Sequence, residues 1–379
     1  MTYTKKILVF ESSMEGHILE YIHHLYMMAL GSPYLYVFAI PESFNTIKET
    51  LDWPQTENVK FRFITDSEIT KCQTANTLKS AIALSKCIKK YAIDEKIDHI
   101  FLLYMIRPMP ILPLILPSNI KVSGIIYNIP LYHKNLTFSK KIINGIIYRL
   151  FAISQNIKNV FMLNDPWGAE AYNTKYKTDK FKYLTDPIPE IDMSAVQNLR
   201  AELNIADENK IYLQFGSLDE RKNTLNILRA LLLMSQDELH NKTFIFSGKL
   251  SKEIKEEFYT LVNSLKDKVQ IVVKEGFVTY DYLNSLCFTS DYLLTLYNNV
   301  TTSSGTIGYA AYFRKPVIGP STGLLGKLII ENKLGYTIEN TSPSLIKEAL
   351  LKNLSTQGEK YCISHSTDEF CKTLFLHLN

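Results

Sequence analysis

Apolar residues in this chain come in short continuous runs separated by longer stretches of helical spacing. Ile7-Leu8-Val9-Phe10, inside Lys6–Glu11, reads as a buried strand. From Glu15 to Leu30 the apolar positions recur every three or four residues, which predicts a helix with one buried face. The two patterns then take turns. Strands are expected at Tyr34–Ile40, Val59–Ile64, Ile97–Leu103, Lys121–Tyr127, Asn159–Leu163 and Phe181–Leu184. Helices are expected over Ser67–Tyr91, Ser139–Ile153 and Trp167–Tyr172. Such alternation predicts a parallel sheet covered by helices.

Thr185-Asp186-Pro187-Ile188-Pro189-Glu190 breaks the pattern, because two prolines enforce an extended connection. The alternation then restarts. Helices are expected at Ser194–Asn204, Thr224–Met234, Lys252–Leu265, Tyr280–Phe288, Thr306–Tyr312, Leu324–Asn332 and Ser344–Asn353. Strands fall between them at Lys210–Phe215, Lys242–Ser247, Val269–Val273, Tyr292–Leu296 and Pro316–Gly319. The expected fold class is α/β, with two doubly wound, Rossmann-like domains, 1–187 and 188–357, facing a ligand-binding cleft. Gly358–Asn379 reads as a terminal helix that packs back on the N-terminal domain.

Composition narrows the class. At 379 residues, 46% hydrophobic and 21% charged, the chain suits a soluble protein with two cores. Five scattered cysteines lack metal-ligand spacing, so reduced thiols and a cytoplasmic location are expected. The chain enters a strand directly and no signal peptide is expected. Phe101–Leu116, the most apolar run, is broken by Arg107 and three prolines and is too short to span a membrane.

A net charge of +4 gives no argument for nucleic acid, but its distribution matters. Between Asp98 and Asp165 there is no acidic residue, while Arg107, Lys121, Lys134, Lys140, Lys141, Arg149 and Lys158 all fall inside. Residues 140–158 combine these cations with Ile142, Ile143, Ile146, Ile147, Leu150 and Phe151. Such a helix can rest on an anionic membrane surface. The plainer alternative is a core-facing helix with a solvated basic side.

Candidate chemistry concentrates at strand ends. Ile211-Tyr212-Leu213-Gln214-Phe215 leads into Gly216-Ser217, then Arg221-Lys222 and a helix. A strand, a glycine turn and paired cations at a helix start favour a phosphate-bearing ligand; an ordinary turn with solvated cations has the same residues. Thr301-Thr302-Ser303-Ser304-Gly305-Thr306 precedes a helix of small residues. There Ser303, Ser304 and Thr306 can cap the helix and leave N–H groups for phosphate or sugar oxygens. Gly276-Phe277-Val278 offers backbone groups to a base edge.

In the N-terminal half, Gly16 and His17 open the first helix. A histidine there can act as a general base, or simply pack against the turn. Asn128 and His133 follow the Lys121–Tyr127 strand, with His133 a competing base. Arg107 can hold an anion by charge-assisted hydrogen bonds or pair with a carboxylate of the other domain.

In order and spacing the chain resembles the GT-B glycosyltransferases, family 4-like, of bacterial cell-surface polysaccharide synthesis. The matching pieces are FGSLDERKN at 215–223, FSGKL at 246–250, EGFVTYDYLNSLCFTSDYLLTLY at 275–297 and SSGTIGYAAYFRKPVIGPSTGLLGKLI at 303–329. The resemblance implies transfer of a sugar from a nucleotide-diphosphate sugar to a glycan or lipid-linked acceptor. Gly216, Ser217, Arg221, Lys222 and Gly248 would then meet the diphosphate, and Phe277-Val278 the nucleobase. Ser303, Ser304, Gly305 and Thr306 would meet the diphosphate or sugar. Arg221 and Lys222 would stabilise the leaving group, with no metal and no cofactor required. Gly16, His17, Arg107, Asn128 and His133 would face the acceptor, with His17 the candidate base.

The family's Glu-x7-Glu pair is absent: its positions fall on Thr301 and Tyr309. Tyr127-Asn128 stands about where the family carries a mid-domain histidine. The expected setting is the cytoplasm, at the inner face of the membrane. The competing readings are a non-catalytic two-domain sugar or nucleotide-binding protein and a sugar-nucleotide epimerase on the same fold.

Overall fold

The computed structural model describes residues 3–14, 18–48, 51, 53–133, 136–298 and 300–378. The chain forms two compact units, Met1–Thr185 with Thr367–Asn379, and Asp186–Ser366. The first is built on β1 (Lys6–Phe10), β2 (Leu35–Pro41), β3 (Val59–Ile64), β4 (His99–Leu102), β5 (Lys121–Ile126), β6 (Ile157–Leu163) and β7 (Phe181–Leu184). All pair in parallel, in the order β3-β2-β1-β4-β5-β6-β7. In register, Leu8 lies between Val37 and Ile100. Each is fully buried, as expected of strands covered on both faces.

The second unit is built on β8 (Lys210–Phe215), β9 (Lys242–Gly248), β10 (Gln270–Glu275), β11 (Tyr292–Leu294), β12 (Val317–Pro320) and β13 (Gly335–Ile338). These are also parallel, in the order β10-β9-β8-β11-β12-β13. Both sheets reverse direction beside their first strand, at β1/β4 and at β8/β11. In a doubly wound sheet the crossovers on either side of such a point leave on opposite faces, so the loops splay apart and make room for a ligand.

Beside three unexpected short helices, Phe44–Lys48, Leu112–Ile115 and Gln236–Leu239, the structure makes four larger departures from the sequence expectations. The helix expected over 67–91 is two, Asp66–Cys72 and Thr77–Asp94, because Asn76 caps a new start by accepting from the N–H of Leu78 and Lys79. No helix forms over 194–204; its backbone is tied sideways, Gln197 N–H to Ser285 Oγ at 3.0 Å and Leu199 N–H to Thr289 Oγ1 at 2.9 Å. Gly335–Ile338 adds an unexpected edge strand beside β12.

The fourth departure is at the end of the chain, where the single expected helix is two. Glu359–Ser364 belongs to the second unit, which therefore runs to Ser366 rather than 357. Arg314 bonds to Glu359 at 3.0 Å, and the Ile188 N–H donates to the His365 carbonyl at 2.8 Å. Only Thr367–Leu378 returns to the first unit, burying Phe370, Leu374 and Leu378 among Ile22, Leu25 and Phe161.

Among the described residues no helix is long and apolar enough to cross a membrane. The terminal helix should count as core of the first unit. Leu374→Ala is expected to destabilise that unit by about 2–5 kcal/mol. Amide exchange should then rise across β1–β7 while β8–β13 keep their protection; uniform loosening of both sheets would contradict this division.

Candidate functional site

The reversal point of the second sheet carries the densest chemistry. At the end of β8, Gly216 takes φ 90°, a left-handed conformation open to glycine and strained for other residues. A Cβ there would lie 2.6 Å from the Lys222 ammonium, so the missing side chain makes room for that cation. Glu220–Lys222 forms a single 3₁₀ turn, capped by Asp219, whose carboxylate accepts from the Lys222 N–H at 2.9 Å. Gln214 donates to the Lys222 carbonyl at 2.8 Å. The turn is thus held from both sides before the helix Thr224–Leu232 begins.

The two cations differ. Sequence reasoning treats Arg221 and Lys222 alike, either as paired phosphate contacts or as the solvated cations of an ordinary turn. In the structure Lys222 is only 7% exposed, and its ammonium donates to the Phe215 carbonyl at 2.7 Å. The Arg221 side chain is 46% exposed and rests 3.7 Å from Asp219. Arg221 is therefore the cation available for direct contact, and Lys222 contributes a fixed positive charge from beneath the turn.

The facing loop follows β11. Tyr297 is buried, and its ring lies under both cations, 5.2 Å from the Lys222 ammonium and 5.7 Å from the Arg221 guanidinium carbon. Ser304 caps the helix Gly305–Tyr312 by accepting from the Thr306 N–H, and donates its own hydroxyl to Tyr297 at 3.1 Å. A Cβ added at Gly305 would meet no atom within 4 Å, so the backbone at this helix start is open. A helix start next to two cations suits an anion.

Glycine also knits neighbouring loops together. A Cβ on Gly248 would fall 1.8 Å from the Gly216 carbonyl, and the Gly276 N–H donates to the Gly248 carbonyl at 3.0 Å. Of the donor-side candidates, Gly216, Lys222, Gly248, Ser304 and Thr306 are therefore linked directly or through Tyr297, with Arg221 and Gly305 beside them. Ser217 is exposed on the turn and Ser303 half-buried before the helix. Phe277 and Val278 follow the outer strand β10, where Phe277 projects into solvent and meets Tyr280 edge-on.

Sequence reasoning gave no role to Tyr297, Gln214 or Asn223. The Asn223 amide reaches the Leu296 carbonyl, Asn298 and Thr341, at 2.7–2.8 Å. Asn223 stands next to the two cations in the sequence, which was the available signal. Tyr297 becomes visible only once β8 and β11 are adjacent.

In the first unit, Gly16 and His17, the candidate base, lie outside the described residues. Arg107 does reach the reversal point, where its Nη1 donates to Ser12 Oγ at 3.2 Å. Ser12 belongs to the same unit as Arg107. Beside it Glu11 is buried, accepting from the N–H groups of Ser12 at 2.7 Å and Ser13 at 3.0 Å. Asn128 and His133 are brought together, His133 Nε2 lying 2.9 Å from Asn128 Oδ1. They follow β5, next to β4.

Burial raises the Glu11 carboxyl above its ordinary pKa, outweighing the Ser12 N–H, the Arg107 charge and the Ser13 N–H, which pull it down. A carboxyl raised in the folded state contributes stability that is full below its unfolded pKa and lost as pH rises through the folded value. Glu11→Gln removes this loss. In thermal unfolding from about pH 4 to about pH 7, the variant should gain on the wild type as pH rises. A constant difference would show that Glu11 carries no raised pKa.

Comparison with known proteins supports the fold. No family model matches the chain, and no curated protein matches it in sequence. Among solved structures it is similar to WaaG, a glycosyltransferase involved in lipopolysaccharide biosynthesis, at 13% identity and a TM-score of 0.64, covering 97% of this chain and 94% of that one. It is similar to HepE from Anabaena in complex with UDP-glucose, at 14% identity and 0.65, covering 99% of both. It also matches an α,α-trehalose-phosphate synthase from Burkholderia xenovorans in complex with glucose-6-phosphate, at 9% identity and 0.68, covering 99% and 100%. The fold of this chain is the GT-B fold.

Proposed function

We propose that this protein is a glycosyltransferase that moves a sugar from a nucleotide-diphosphate donor to a glycan or lipid-linked acceptor in surface polysaccharide synthesis. The observation that carries this reading is the β8/β11 edge. An exposed arginine, a buried lysine, a glycine turn and an open helix start converge there. Such a group stabilises the negative charge that builds on a departing nucleoside diphosphate. The charge comes from Arg221 and Lys222, so the reaction proceeds without a metal or cofactor. The acceptor engages the first unit at Arg107, Asn128 and His133, with Gly16 and His17 the remaining candidate contacts. HepE and WaaG, whose fold this chain shares, support the donor class and the polysaccharide setting.

The test is binding followed by transfer. UDP, GDP, dTDP and CDP are screened by thermal shift, since a ligand of the folded state raises its stability. One of them should stabilise the protein in the absence of metal. Arg221→Glu should weaken that ligand by at least about tenfold, and leave the unliganded protein within about 0.5 kcal/mol of wild type, because the side chain is half exposed. Transfer from the corresponding nucleotide sugar should survive a chelator. Equal affinity in the variant would remove the donor assignment.

A second observation bears on the acceptor's setting. The helix Phe138–Ile153 buries Ile147, Tyr148, Phe151 and Ala152. On the opposite side, Phe138, Ile142, Ile143, Ile146 and Ile153 are 48–80% exposed. A helix on a soluble surface turns a polar face outward; this one turns an apolar face outward. Lys140, Lys141 and Arg149 are exposed on the same helix, within the acid-free stretch. An apolar stripe flanked by cations complements an anionic lipid surface. The protein therefore works at the inner face of the membrane, meeting a lipid-linked acceptor there.

The protein should sediment with vesicles containing phosphatidylglycerol. Replacing Ile142 and Ile146 by glutamate should abolish sedimentation. Lys140→Gln with Lys141→Gln should weaken vesicle binding roughly thirtyfold, at ~1 kcal/mol per cation near the surface, and most strongly at low salt. Wild-type sedimentation in the isoleucine variant would show that this face does not meet lipid.

A further inference from the structure

We infer that Tyr297 is the positioning residue of the β8/β11 edge, holding the Lys222 ammonium and the start of the helix Gly305–Tyr312 in one register and setting the positive charge they present. The inference rests on the reading of this edge as a nucleoside-diphosphate site.

A buried phenol is costly unless its hydroxyl is bonded, and its hydrogen-bond partners among the described residues belong to the proposed site. Ser304 Oγ donates to the Tyr297 hydroxyl at 3.1 Å, and Thr306 Oγ1 lies 3.1 Å from it. Both residues belong to the helix start, where the Ser304 hydroxyl also accepts from the Thr306 N–H at 3.3 Å. The ring beneath the two cations adds a cation–π attraction. The following residue laces the two loops together. The Asn298 N–H donates to the Arg221 carbonyl at 2.8 Å, and its side chain to the Glu220 carbonyl at 2.9 Å. One side chain thus joins the fixed cation to the helix cap, and neither contact depends on an exposed group.

The same contacts make the site's charge depend on the phenol. Burial alone would raise its pKa. The Lys222 charge, the hydrogen bonds of Ser304 and Thr306 and an interaction with the Lys222 amine together overcome that and hold it below the ordinary tyrosine value. Lys222 and Arg221 are the charged groups on the ring, and Arg221 is shared with Asp219. The helix 305–312 carries no charged residue, and its Tyr309 packs against Phe215 instead. Ionisation of Tyr297 would place a phenolate against Lys222 and remove one positive charge from the site. Diphosphate affinity should therefore fall as pH rises through this lowered value.

The decisive comparison is Tyr297→Phe, which keeps the ring and removes the hydroxyl. Affinity is measured by calorimetry for the tightest of UDP, GDP, dTDP and CDP, from neutral to alkaline pH. Near neutrality the variant should bind about five- to tenfold more weakly, the worth of a net hydrogen bond or slightly more. This deficit should shrink as pH rises, because only the wild type acquires the phenolate. A deficit constant with pH, or none, overturns the inference; a merely structural role predicts the constant one.

A ligand-free measurement separates this inference from the functional reading. The phenolate absorbance lost in Tyr297→Phe should titrate below ordinary tyrosines, and should move upward in Lys222→Met. An unmoved titration overturns the inference even where nucleotides bind. If no nucleotide binds while the titration behaves as stated, the donor reading fails and the Tyr297–Lys222 coupling stands. Should Tyr297→Phe not fold, fluorotyrosine at 297 keeps ring and hydroxyl and lowers the phenol's pKa. The affinity loss must then move to lower pH, and an unmoved loss overturns the inference.

Discussion

A buried ammonium has to be solvated by protein, and the second unit is arranged around that requirement at Lys222. Its charge has the Phe215 carbonyl at 2.7 Å on one side and the Tyr297 ring on the other. That geometry is possible only because residue 216 has no side chain. Gly216 then demands a second glycine, since its own carbonyl leaves no space for a Cβ at 248. Asp219 and Gln214 fix the lysine's backbone so that the side chain can fold underneath. A charge placed in this way costs no reorganisation when an anion arrives, which is where preorganised sites gain over solvent.

The topology explains why the cation is met by a helix start. Crossovers leave β8 and β11 on opposite faces, so the loops after these neighbouring strands part company at their carboxyl ends. The gap is lined by backbone on both sides: the glycine turn after β8, and the helix start at Gly305, where a Cβ would meet no atom within 4 Å. The first unit repeats the device at β1/β4, with different chemistry. There the buried titratable group is acidic, Glu11, whose carboxyl accepts from two backbone N–H groups and whose pKa burial raises. The two reversal points thus bury groups of opposite type, one basic and one acidic.

How much of this was legible in the sequence depended on whether the cause was local. β3, β7 and β8 could be read from their residues, because β-branched and aromatic positions alternate with polar ones or run over a strand's length there. Lys252–Leu265 was likewise set by its own amphipathic spacing. The failures came where distant groups decided. Leu199 and Leu203 stand four residues apart and mimic a helix, but Ser285 and Thr289 supply side-chain acceptors that capture the backbone instead. Gly335–Ile338 is short and only partly buried, and it is a strand because β12 offers it a free edge. The glycines and cations of the site were visible as residue types. The burial of Lys222, and so its difference from Arg221, needs a ring 75 residues further along the chain.

The two positions where the family resemblance would place carboxylates bear on the same charge. Thr301 and Tyr309 are both buried, and the Tyr309 ring meets Phe215 edge-on, 5.5 Å between centroids, at the strand end that solvates Lys222. A carboxylate at 309 would stand close to that ammonium and draw on its field, as neighbouring opposite charges do. An aromatic there fills the same space and leaves the field intact. Of the acids in this turn, Asp219 has its carboxylate already shared between the Lys222 N–H and the Arg221 guanidinium, and Glu220 is exposed. The field of Lys222 therefore depends on packing as well as on the count of charges: a ring stands at 309, where the resemblance would place an acid.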